Sequence, residues 1–266
     1  MNKIKRVKLF VNNNVKSKRV EKKVRAVLEK NNFKIVEEDF ELGIAIGGDG
    51  SFLRMVKNTN FNSDALFVGI NAGTLGFAQE IKPAEIEEFF SYLGKENYEY
   101  EEIGIEEIEV TTVDKISKFY ALNEIVIRDE ELNATGLDVY IEGVLLEKYV
   151  GDGLLITTSF GSTAYNLSFG GSIVYNTFHT LQITPIAPLN NKSYRSLINS
   201  VILPSNKMIT LVPTRNEGNL ILTVDGDNNF YNNVIKINVH IGEKTIKIIR
   251  KKDYNFIQKI NDKFLK

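Results

Sequence analysis

The chain has 266 residues, and its 33 lysines and arginines against 34 aspartates and glutamates give a formal net charge of -1. Proteins that bind nucleic acids through bulk charge usually carry a basic excess, which displaces phosphate counterions. No apolar run approaches the ~18 residues of a membrane-spanning helix, and no secretory signal pattern is present. We therefore expect no nucleic-acid partner and no membrane anchor, and predict a soluble cytoplasmic protein.

Cysteine is absent from the sequence, which excludes disulfides, thiol nucleophiles and thiolate zinc sites. The two histidines, His179 and His240, lie far apart, and neither belongs to an HExxH motif. Catalysis must then depend on carboxylates, hydroxyls, amides, the backbone or a metal-bound substrate, and we predict no metal-ligating residue. His240 alternates with apolar neighbours in an extended run and is expected to face solvent.

The first hundred residues alternate between strand and helix patterns. In chain order, the predicted elements are a strand at 5–11, a helix at 18–30, a strand at 42–46, a helix at 51–57, a strand at 66–70 and a helix at 83–93. Short apolar runs favour buried strands, and apolar residues at helical spacing favour amphipathic helices. This order predicts an N-terminal α/β domain, residues 1–100, with a parallel sheet and covering helices.

Beyond residue 100 the pattern changes to short strand-like runs separated by Gly, Asn and Asp turns. These runs include 108–113, 119–122, 136–141, 154–157, 207–211, 220–224 and 234–241. Several alternate with period two, which predicts antiparallel pairing. We therefore predict a β-rich, sandwich-like C-terminal domain over 101–243. The tail, 244–266, is predicted to form a strand at 244–250 and a helix at 255–265.

The first motif, LGIAIGGDGS at residues 42–51, is a buried strand that leads through glycines into a helix. Glycines let the backbone approach a ligand, and a helix start presents free N–H groups to phosphate. At the carboxyl edge of the sheet, Asp49 can accept a proton from a hydroxyl or help hold a phosphate-bound metal. The alternative is an aspartate in a turn or at a helix cap. Neither a GxxxxGK[ST] motif nor a complete dinucleotide fingerprint is present.

The second motif, VGINAGTLGF at residues 68–77, is a short strand that ends in a loop with several glycines. Such a loop can bring the backbone against a flat ligand, and Phe77 supplies a face for stacking. Phe77 is equally well explained as a core aromatic beside the loop.

The third motif, YALNEIVIRD at residues 120–129, is an apolar strand interrupted by Asn123 and Glu124. An amide both donates and accepts, and a carboxylate accepts from two hydroxyls, so the pair suits a purine edge and a ribose diol. A β-bulge or a strand end is the alternative interpretation.

The fourth motif, VGDGLLITTSFGSTAYNLSFGGSIV, occupies residues 150–174. A Gly-Asp-Gly turn leads into a strand, GSTAY then opens a short helix, and Gly170-Gly171 closes it. Hydroxyls and free amides at that helix start can bind an anion or a polar ligand. We predict Ser162 as the N-cap, a role that needs no ligand.

Taken together and in order, these motifs resemble the NAD kinases. The segments that carry the resemblance are GGDGS at 47–51, GINAGTLGF at 69–77, LNE at 122–124, GDGLLITTSFGSTAYNLSFGG at 151–171 and APLNNKSYRSL at 187–197. GGDG alone is shared with diacylglycerol-type lipid kinases and related sugar kinases, whereas LNE together with GSTAY points to NAD kinases.

The resemblance implies transfer of the terminal phosphoryl of ATP to the 2′-hydroxyl of the adenosine ribose of NAD, which gives NADP. It also implies a divalent metal, Mg or Mn, on the ATP phosphates. The expected architecture is an N-terminal α/β domain, a β-rich C-terminal domain and a tail that returns to the first domain. The expected assembly is a homodimer or homotetramer whose sites are shared between neighbouring subunits.

The resemblance also assigns roles by position. Asp49 is the implied proton acceptor, and Gly50 is an implied backbone contact to the nucleotide. Asn123 and Glu124 are implied to hold the adenosine end, with Phe77, Thr163 and Ala164 around it. The implied nicotinamide side consists of Asp152, Ser168 and Ala187. Further nucleotide-binding positions are Arg54, Tyr165, Asn166, Leu167 and Asp227, the last standing where some members carry Gln. The chain departs from the family at Ser159 and Phe160, where Pro and a small hydroxyl residue are frequent, and at Val150, where a basic residue is common.

Two other functions stay open at this point. A lipid or other small-alcohol kinase of the GGDG group would need a hydrophobic substrate slot and no Asn123–Glu124 pair. A non-catalytic NAD-binding sensor would keep the site without turnover, although the presence of Asp49 argues against it. Phosphoryl donors other than ATP, such as polyphosphate, also fit the sequence.

Overall fold

The computed structural model describes residues 4–73, 76–93, 98–215 and 218–266. The chain divides into two compact units, Met1–Ile103 together with Thr245–Lys266, and Gly104–Lys244. Within the described ranges, no helix combines the length and apolar character that crossing a membrane requires.

The first unit is built on a parallel sheet. Its strands are β1 (Arg6–Val11), β2 (Lys34–Ile35), β3 (Leu42–Gly47), β4 (Leu66–Asn71) and the last residues of β16 (Val234–Arg250), in the order β2-β1-β3-β4-β16. Ile44 in β3 lies opposite Leu9 in β1 and Val68 in β4. Every residue of β3 is buried, as expected for a central strand with both faces covered. The predicted parallel α/β arrangement is confirmed.

In the described part of this unit there are four α-helices. They are α1 (Val15–Lys30), α2 (Asp49–Asn58), α3 (Ile86–Leu93) and α5 (Phe256–Phe264). Asn14 caps α1 by accepting the Ser17 N–H at 2.8 Å, which satisfies one of the free donors of the first turn. The predicted helix over 83–93 begins with a 3-10 turn, Pro83–Glu85, before α3.

The second unit consists of antiparallel strands in two layers. One layer contains the later part of β5 (Glu99–Thr112), β6 (Ile116–Ala121), β8 (Thr135–Ile141), β9 (Val144–Gly151), β13 (Ile209–Pro213) and the first half of β16. The other layer has the order β12-β11-β10-β7-β14-β15. Its strands are β7 (Glu124–Asp129), β10 (Gly153–Thr158), β11 (Thr180–Ile186), β12 (Val201–Pro204), β14 (Leu220–Val224) and β15 (Asp227–Tyr231).

Apolar side chains from both layers form one core in this unit. Val139 of β8, Ile156 of β10 and Leu222 of β14 are all fully buried in it. A core shared by two antiparallel layers is the defining feature of a β-sandwich. The predicted β-rich, sandwich-like fold of this part of the chain is therefore confirmed.

Two details of β16 differ from the sequence prediction. The runs at 234–241 and 244–250 form one continuous strand, β16, instead of two. His240 is half-buried on that strand, and its Nδ1 is buried without a hydrogen-bond partner. His240 is therefore less exposed than expected, although the alternation holds, because Ile237 and Val239 are buried while Asn238 and His240 are half-buried.

Candidate active site

Asp49 is the first residue of α2, directly beyond the buried strand β3. Its carboxylate accepts two backbone hydrogen bonds, from the Phe77 N–H at 3.0 Å on Oδ2 and from the Ala78 N–H at 2.9 Å on Oδ1. Each carboxylate oxygen keeps a lone pair for a further donor. The side chain is therefore held in one orientation and can still accept a proton.

Gly76 allows this contact. A Cβ built on Gly76 would overlap the Asp49 carboxylate, so a larger residue there would displace the loop or the acid. The absence of a side chain at Gly76 is therefore explained by the close approach of its backbone to the Asp49 carboxylate. Thr74 and Leu75 of the predicted loop motif lie outside the described residues.

Gly50 and Arg54 lie on α2 beside Asp49. Gly50 is exposed, and a Cβ placed on it would meet nothing within 4 Å, so its backbone is open to a ligand. The exposed Arg54 places Nη2 3.4 Å from Asn12 Oδ1 and 3.4 Å from Ser51 Oγ. Asn12 follows β1, so this cation lies at the same carboxyl edge of the sheet.

The Phe77 ring packs against the C-terminal helix. Its centroid lies 5.3 Å from the Phe264 ring and 6.2 Å from the Phe256 ring of α5. The geometry favours the core-aromatic interpretation of the ring, while the Phe77 N–H is the group that contacts Asp49.

In the second unit, the segment Leu122–Glu124 is held by a residue for which the sequence predicted only a turn. The Asp225 carboxylate accepts the N–H groups of Leu122 at 2.7 Å, Asn123 at 2.8 Å and Glu124 at 3.2 Å. β6 ends at Ala121 and β7 begins at Glu124, so Asn123 lies at a strand end, one of the alternatives that the sequence left open. The Asp225-Gly226 turn signal was visible in the sequence, but nothing local links it to residue 123.

Glu124 is buried, and its carboxyl accepts the backbone N–H of Tyr165. Its Oε2 has no hydrogen-bond partner. Burial, followed by the charge of Asp225, raises the pKa of Glu124 to about 8, against the lowering effect of the Tyr165 N–H. Tyr165 begins the short helix α4 (Tyr165–Ser168), so Glu124 and the GSTAY segment are in direct contact.

The fourth motif forms a 3-10 turn, Phe160–Thr163, followed by α4. Ser162 is not an N-cap, because its Oγ accepts the Val174 N–H at 3.1 Å and donates to the Val174 carbonyl at 3.2 Å. That prediction is wrong because Ser162 is fully buried, where a neighbouring chain segment supplies its partners. Thr163, Ala164 and Leu167 are half-buried, whereas Tyr165 and Ser168 are exposed.

Asn166 is also fully buried, and its side chain has protein partners on both atoms. Nδ2 donates to the carbonyls of Ser162 and Ser172, and Oδ1 accepts the Thr184 hydroxyl at 2.6 Å. Both amide hydrogens are thereby used. The Asn166 side chain therefore supports α4 from the buried side.

The Tyr165 side chain is exposed, and its hydroxyl accepts a hydrogen bond from Arg128 Nη2 at 3.2 Å.

Asp152 and Ala187 lie together, apart from Glu124. Asp152 is exposed in the turn between β9 and β10, and its N–H donates to the Ile186 carbonyl at 2.9 Å. Ala187 is exposed with φ +43°, a conformation that costs energy for a non-glycine residue and often marks functional sites. Glu124 pairs with Thr157 near the other end of β10, and a strand of six residues spans roughly 20 Å.

Asp227 begins β15 and is exposed. It lies two residues after Asp225 in the same turn, so the structure brings it near the segment that contains Asn123 and Glu124. Among the described residues, no group of three or more His, Cys, Asp or Glu side chains could hold a metal ion.

Comparison with known proteins matches both parts of the chain to one family. Residues 3–98 match the ATP-NAD kinase N-terminal domain, and residues 122–251 match the ATP-NAD kinase C-terminal domain. The NAD kinase of Finegoldia magna is 40% identical over 269 residues, which cover 97% of each chain. The NAD kinase of Streptococcus agalactiae serotype Ia is 34% identical over 264 residues, 98% of this chain and 95% of that protein.

Two solved structures share the fold. Yeast NADH kinase complexed with NADH superposes with a TM-score of 0.84 at 21% identity, covering 98% of this chain and 87% of that one. An NAD kinase from Archaeoglobus fulgidus in complex with ATP gives a TM-score of 0.76 at 20% identity, covering 97% and 99%. Because the bacterial relatives align over nearly their whole length and both family domains are matched, the chain belongs to the NAD kinase family.

Proposed function

We propose that this enzyme transfers the terminal phosphoryl of ATP to the 2′-hydroxyl of the adenosine ribose of NAD and so produces NADP. The observation that carries the proposal is the carboxylate of Asp49, fixed by two backbone amides at the carboxyl end of β3 in a chain that matches both NAD kinase domains. Open α/β sheets bind their ligands at this edge.

Asp49 is the proposed proton acceptor. As the 2′-oxygen bonds to the terminal phosphorus, its proton passes to the Asp49 carboxylate, and the bond from that phosphorus to the bridging oxygen of ATP breaks to release ADP. Phosphoryl transfer depends mainly on positioning and charge stabilisation. The hydrogen bonds from Phe77 and Ala78 supply the positioning.

The adenosine end is proposed to bind at Asn123 and Glu124. Asp225 fixes the backbone of both residues, and the free Oε2 of Glu124 is a buried acceptor without a partner. A ribose hydroxyl would satisfy that acceptor, whereas an apolar lipid chain would leave it unpaired at an energetic cost. This contrast supports NAD over a lipid alcohol as substrate.

We propose that Mg or Mn enters with the phosphoryl donor. The described residues fit this mode of binding, because Mg is commonly held by substrate phosphates and one or two carboxylates instead of a cage of protein ligands. When bound, the metal neutralises phosphate charge during transfer. Arg54 and the N–H groups at the start of α2 are the protein groups of the first unit that would bind phosphate.

A homodimer or homotetramer with shared sites is also proposed. The roughly 20 Å that a six-residue strand spans separates Glu124 from the Asp152–Ala187 pair. If Glu124 and the Asp152–Ala187 pair both contact one NAD molecule, the pair can come from a neighbouring subunit. The NAD molecule then need not reach across the roughly 20 Å between the two groups of one chain. We propose the cytoplasm as the location, because ATP and NAD are both available there.

The test of the proposed base is the Asp49→Asn variant in a coupled assay with NAD, ATP and magnesium. Loss of a general base lowers turnover by about 10²–10⁴, so kcat should fall by that order while NAD still binds. Asp64→Asn, an exposed aspartate of the same unit, is the matched control and should keep wild-type kcat.

Wild-type turnover in Asp49→Asn would contradict the assigned role. Tight NAD binding by the wild-type protein with no NADP formed would instead indicate a sensor. The same assay with polyphosphate or with NADH in place of the usual substrates defines the donor and the redox form used.

A further inference from the structure

The C-terminal helix α5 lies against the segment that holds Asp49. Phe256 and Phe264 of this helix pack on Phe77, whose N–H donates to the Asp49 carboxylate. Phe256 is fully buried, whereas Phe264 keeps 39% of its surface exposed. The end of the chain thus contacts the residue next to the proposed base.

Lys259 on the same helix is only 9% exposed. Its Nζ donates to Glu80 Oε2 at 3.1 Å, and Arg250 Nη1 lies 3.3 Å from the same oxygen. Burial lowers the pKa of Lys259, whereas the charges of Glu80 and Asp49 act in the opposite direction. Lys259 is therefore an ion-pair partner of Glu80, which lies three residues beyond Phe77 in the sequence.

The segment between Phe77 and Glu80 is fixed on its other sides as well. The Glu80 N–H donates to the Gly69 carbonyl of β4 at 2.9 Å. Gln79 Nε2 donates to the Gly48 carbonyl at 2.7 Å, and Gly48 is the residue immediately before Asp49. A displacement of this segment would therefore move the Phe77 and Ala78 N–H groups that bind the Asp49 carboxylate. It would also disturb the Gly48 carbonyl, which immediately precedes the proposed base.

We propose that Lys259 and Phe264 are positioning residues for Asp49, through which the C-terminal helix sets the rate of phosphoryl transfer. The inference rests on the proposed role of Asp49 as the proton acceptor. Phe264 keeps the Phe77 N–H directed at the carboxylate, and Lys259 anchors Glu80 at the other end of the same segment. Neither residue needs to touch substrate.

The first test replaces Lys259 with methionine, which keeps most of the buried side-chain volume and removes the charge. Because misplacement of a catalytic group by about 1 Å can cost up to 10²-fold in rate, we expect kcat to fall by roughly 10-fold to 10²-fold. The KM values for NAD and ATP should stay within about twofold, since positioning of the base acts on turnover. Lys263→Met, an exposed lysine one turn further along α5, is the matched control and should behave as wild type.

A second pair of variants tests the aromatic contact. Phe264→Ala should lower kcat several-fold, and Leu265→Ala, the adjacent residue with 74% of its surface exposed, should leave it unchanged. The double variant Lys259→Met, Glu80→Gln removes both charges of the ion pair. Its melting temperature should return towards that of the wild type while its kcat stays low, because removing both charges relieves the unpaired buried charge but does not restore the Lys259 anchor on Glu80.

A kcat within twofold of wild type for both Lys259→Met and Phe264→Ala would overturn the inference. Recovery of kcat together with melting temperature in the double variant would also overturn it, since the effect would then be one of stability. Asp49→Asn separates the two proposals: if it keeps turnover, the base assignment fails, and if it alone loses turnover, only the role of α5 fails.

Discussion

At the scale of single residues, three carboxyl groups of the second unit influence one another and differ in their partners. Asp225 accepts three backbone N–H groups, Glu124 accepts one, and neither oxygen of the fully buried Glu106 has a partner. Burial, then the charges of Asp225 and Glu124, raise the pKa of Glu106 well above its usual range. Glu124, with its pKa raised to about 8, therefore titrates near a second carboxyl whose pKa is also raised.

This arrangement predicts that NAD binding releases a proton from Glu124. The pKa of this carboxyl is about 8 in the free protein, so it is mainly protonated at pH 7. The proposed contact with ribose hydroxyls needs the carboxylate. The dissociation constant should then fall about tenfold per pH unit as the pH rises towards 8 and level off above it. Calorimetric titrations in two buffers of different ionisation enthalpy measure both the affinity and the proton released.

The control for this prediction is Glu124→Gln, which cannot ionise. It should bind NAD weakly, with an affinity that does not change with pH and no proton release. A wild-type affinity that is constant from about pH 6 to about pH 8 would show that the protonated acid binds NAD as well as the carboxylate does.

At the scale of secondary-structure elements, the turn between β14 and β15 organises the start of β7. Asp225 and Gly226 have φ values of +45° and +89°, as a two-residue type I′ hairpin turn requires. The turn places the Asp225 carboxylate beneath three consecutive N–H groups from another part of the chain. A hairpin turn is therefore also a structural support for the proposed adenosine site.

Replacing Asp225 with alanine should disrupt that support. Buried donors left without an acceptor cost about 1–3 kcal/mol each. Because water can partly replace the lost acceptor, we expect the free energy of unfolding to fall by about 2–4 kcal/mol in total. Affinity for NAD should fall as well, because Asn123 and Glu124 lose their backbone anchor. Urea denaturation and NAD titration measure the two effects.

Asp114→Ala is the comparison for Asp225→Ala. Asp114 is exposed in the turn between β5 and β6, and its loss should change the free energy of unfolding by no more than about 0.5 kcal/mol. If the two variants unfolded at the same urea concentration, the three hydrogen bonds to Asp225 would contribute little.

The sequence predicts the central elements of the first unit well because their burial is uniform. β3 and β4 are short apolar runs between turn residues, and such runs are typical of buried strands. The long strand β16 was predicted as two pieces, since Gly242, Glu243 and Lys244 interrupt the apolar pattern. Its continuity depends on partners far away in sequence, β13 for its first half and β4 for its end, which no local pattern encodes.

The same limit applies to the site residues. Asp49 is marked by flanking glycines and a preceding buried strand, and the Asn123–Glu124 pair is marked by polarity inside an apolar run. Asp225 is separated from Asn123 by 102 residues, and Lys259 is one of two lysines in the C-terminal helix α5. Their importance comes from tertiary contacts, so periodicity and local motifs could not reveal it.

At the scale of the whole molecule, the near-neutral charge balance constrains how the substrates bind. NAD and ATP are both polyanions, yet the chain carries a net charge of -1. We propose that this charge is offset locally, by backbone N–H groups such as those at the start of α2, by Arg54 and by a metal that enters with ATP. An exposed basic surface is not needed for this chemistry.

The proposed sharing of sites between subunits predicts that two inactive variants restore each other. Asp49→Asn removes the proposed base, and Asp152→Ala removes a proposed nicotinamide-side contact. In a mixed dimer, one of the two sites would combine an intact Asp49 from one subunit with an intact Asp152 from the other. Half of the dimers in an equal, fully exchanged mixture are mixed, so about a quarter of wild-type activity should return. Activity is measured after joint refolding, with mixed oligomers verified by differently tagged subunits. Mixed oligomers with no more activity than the two variants separately would place the whole site within one subunit.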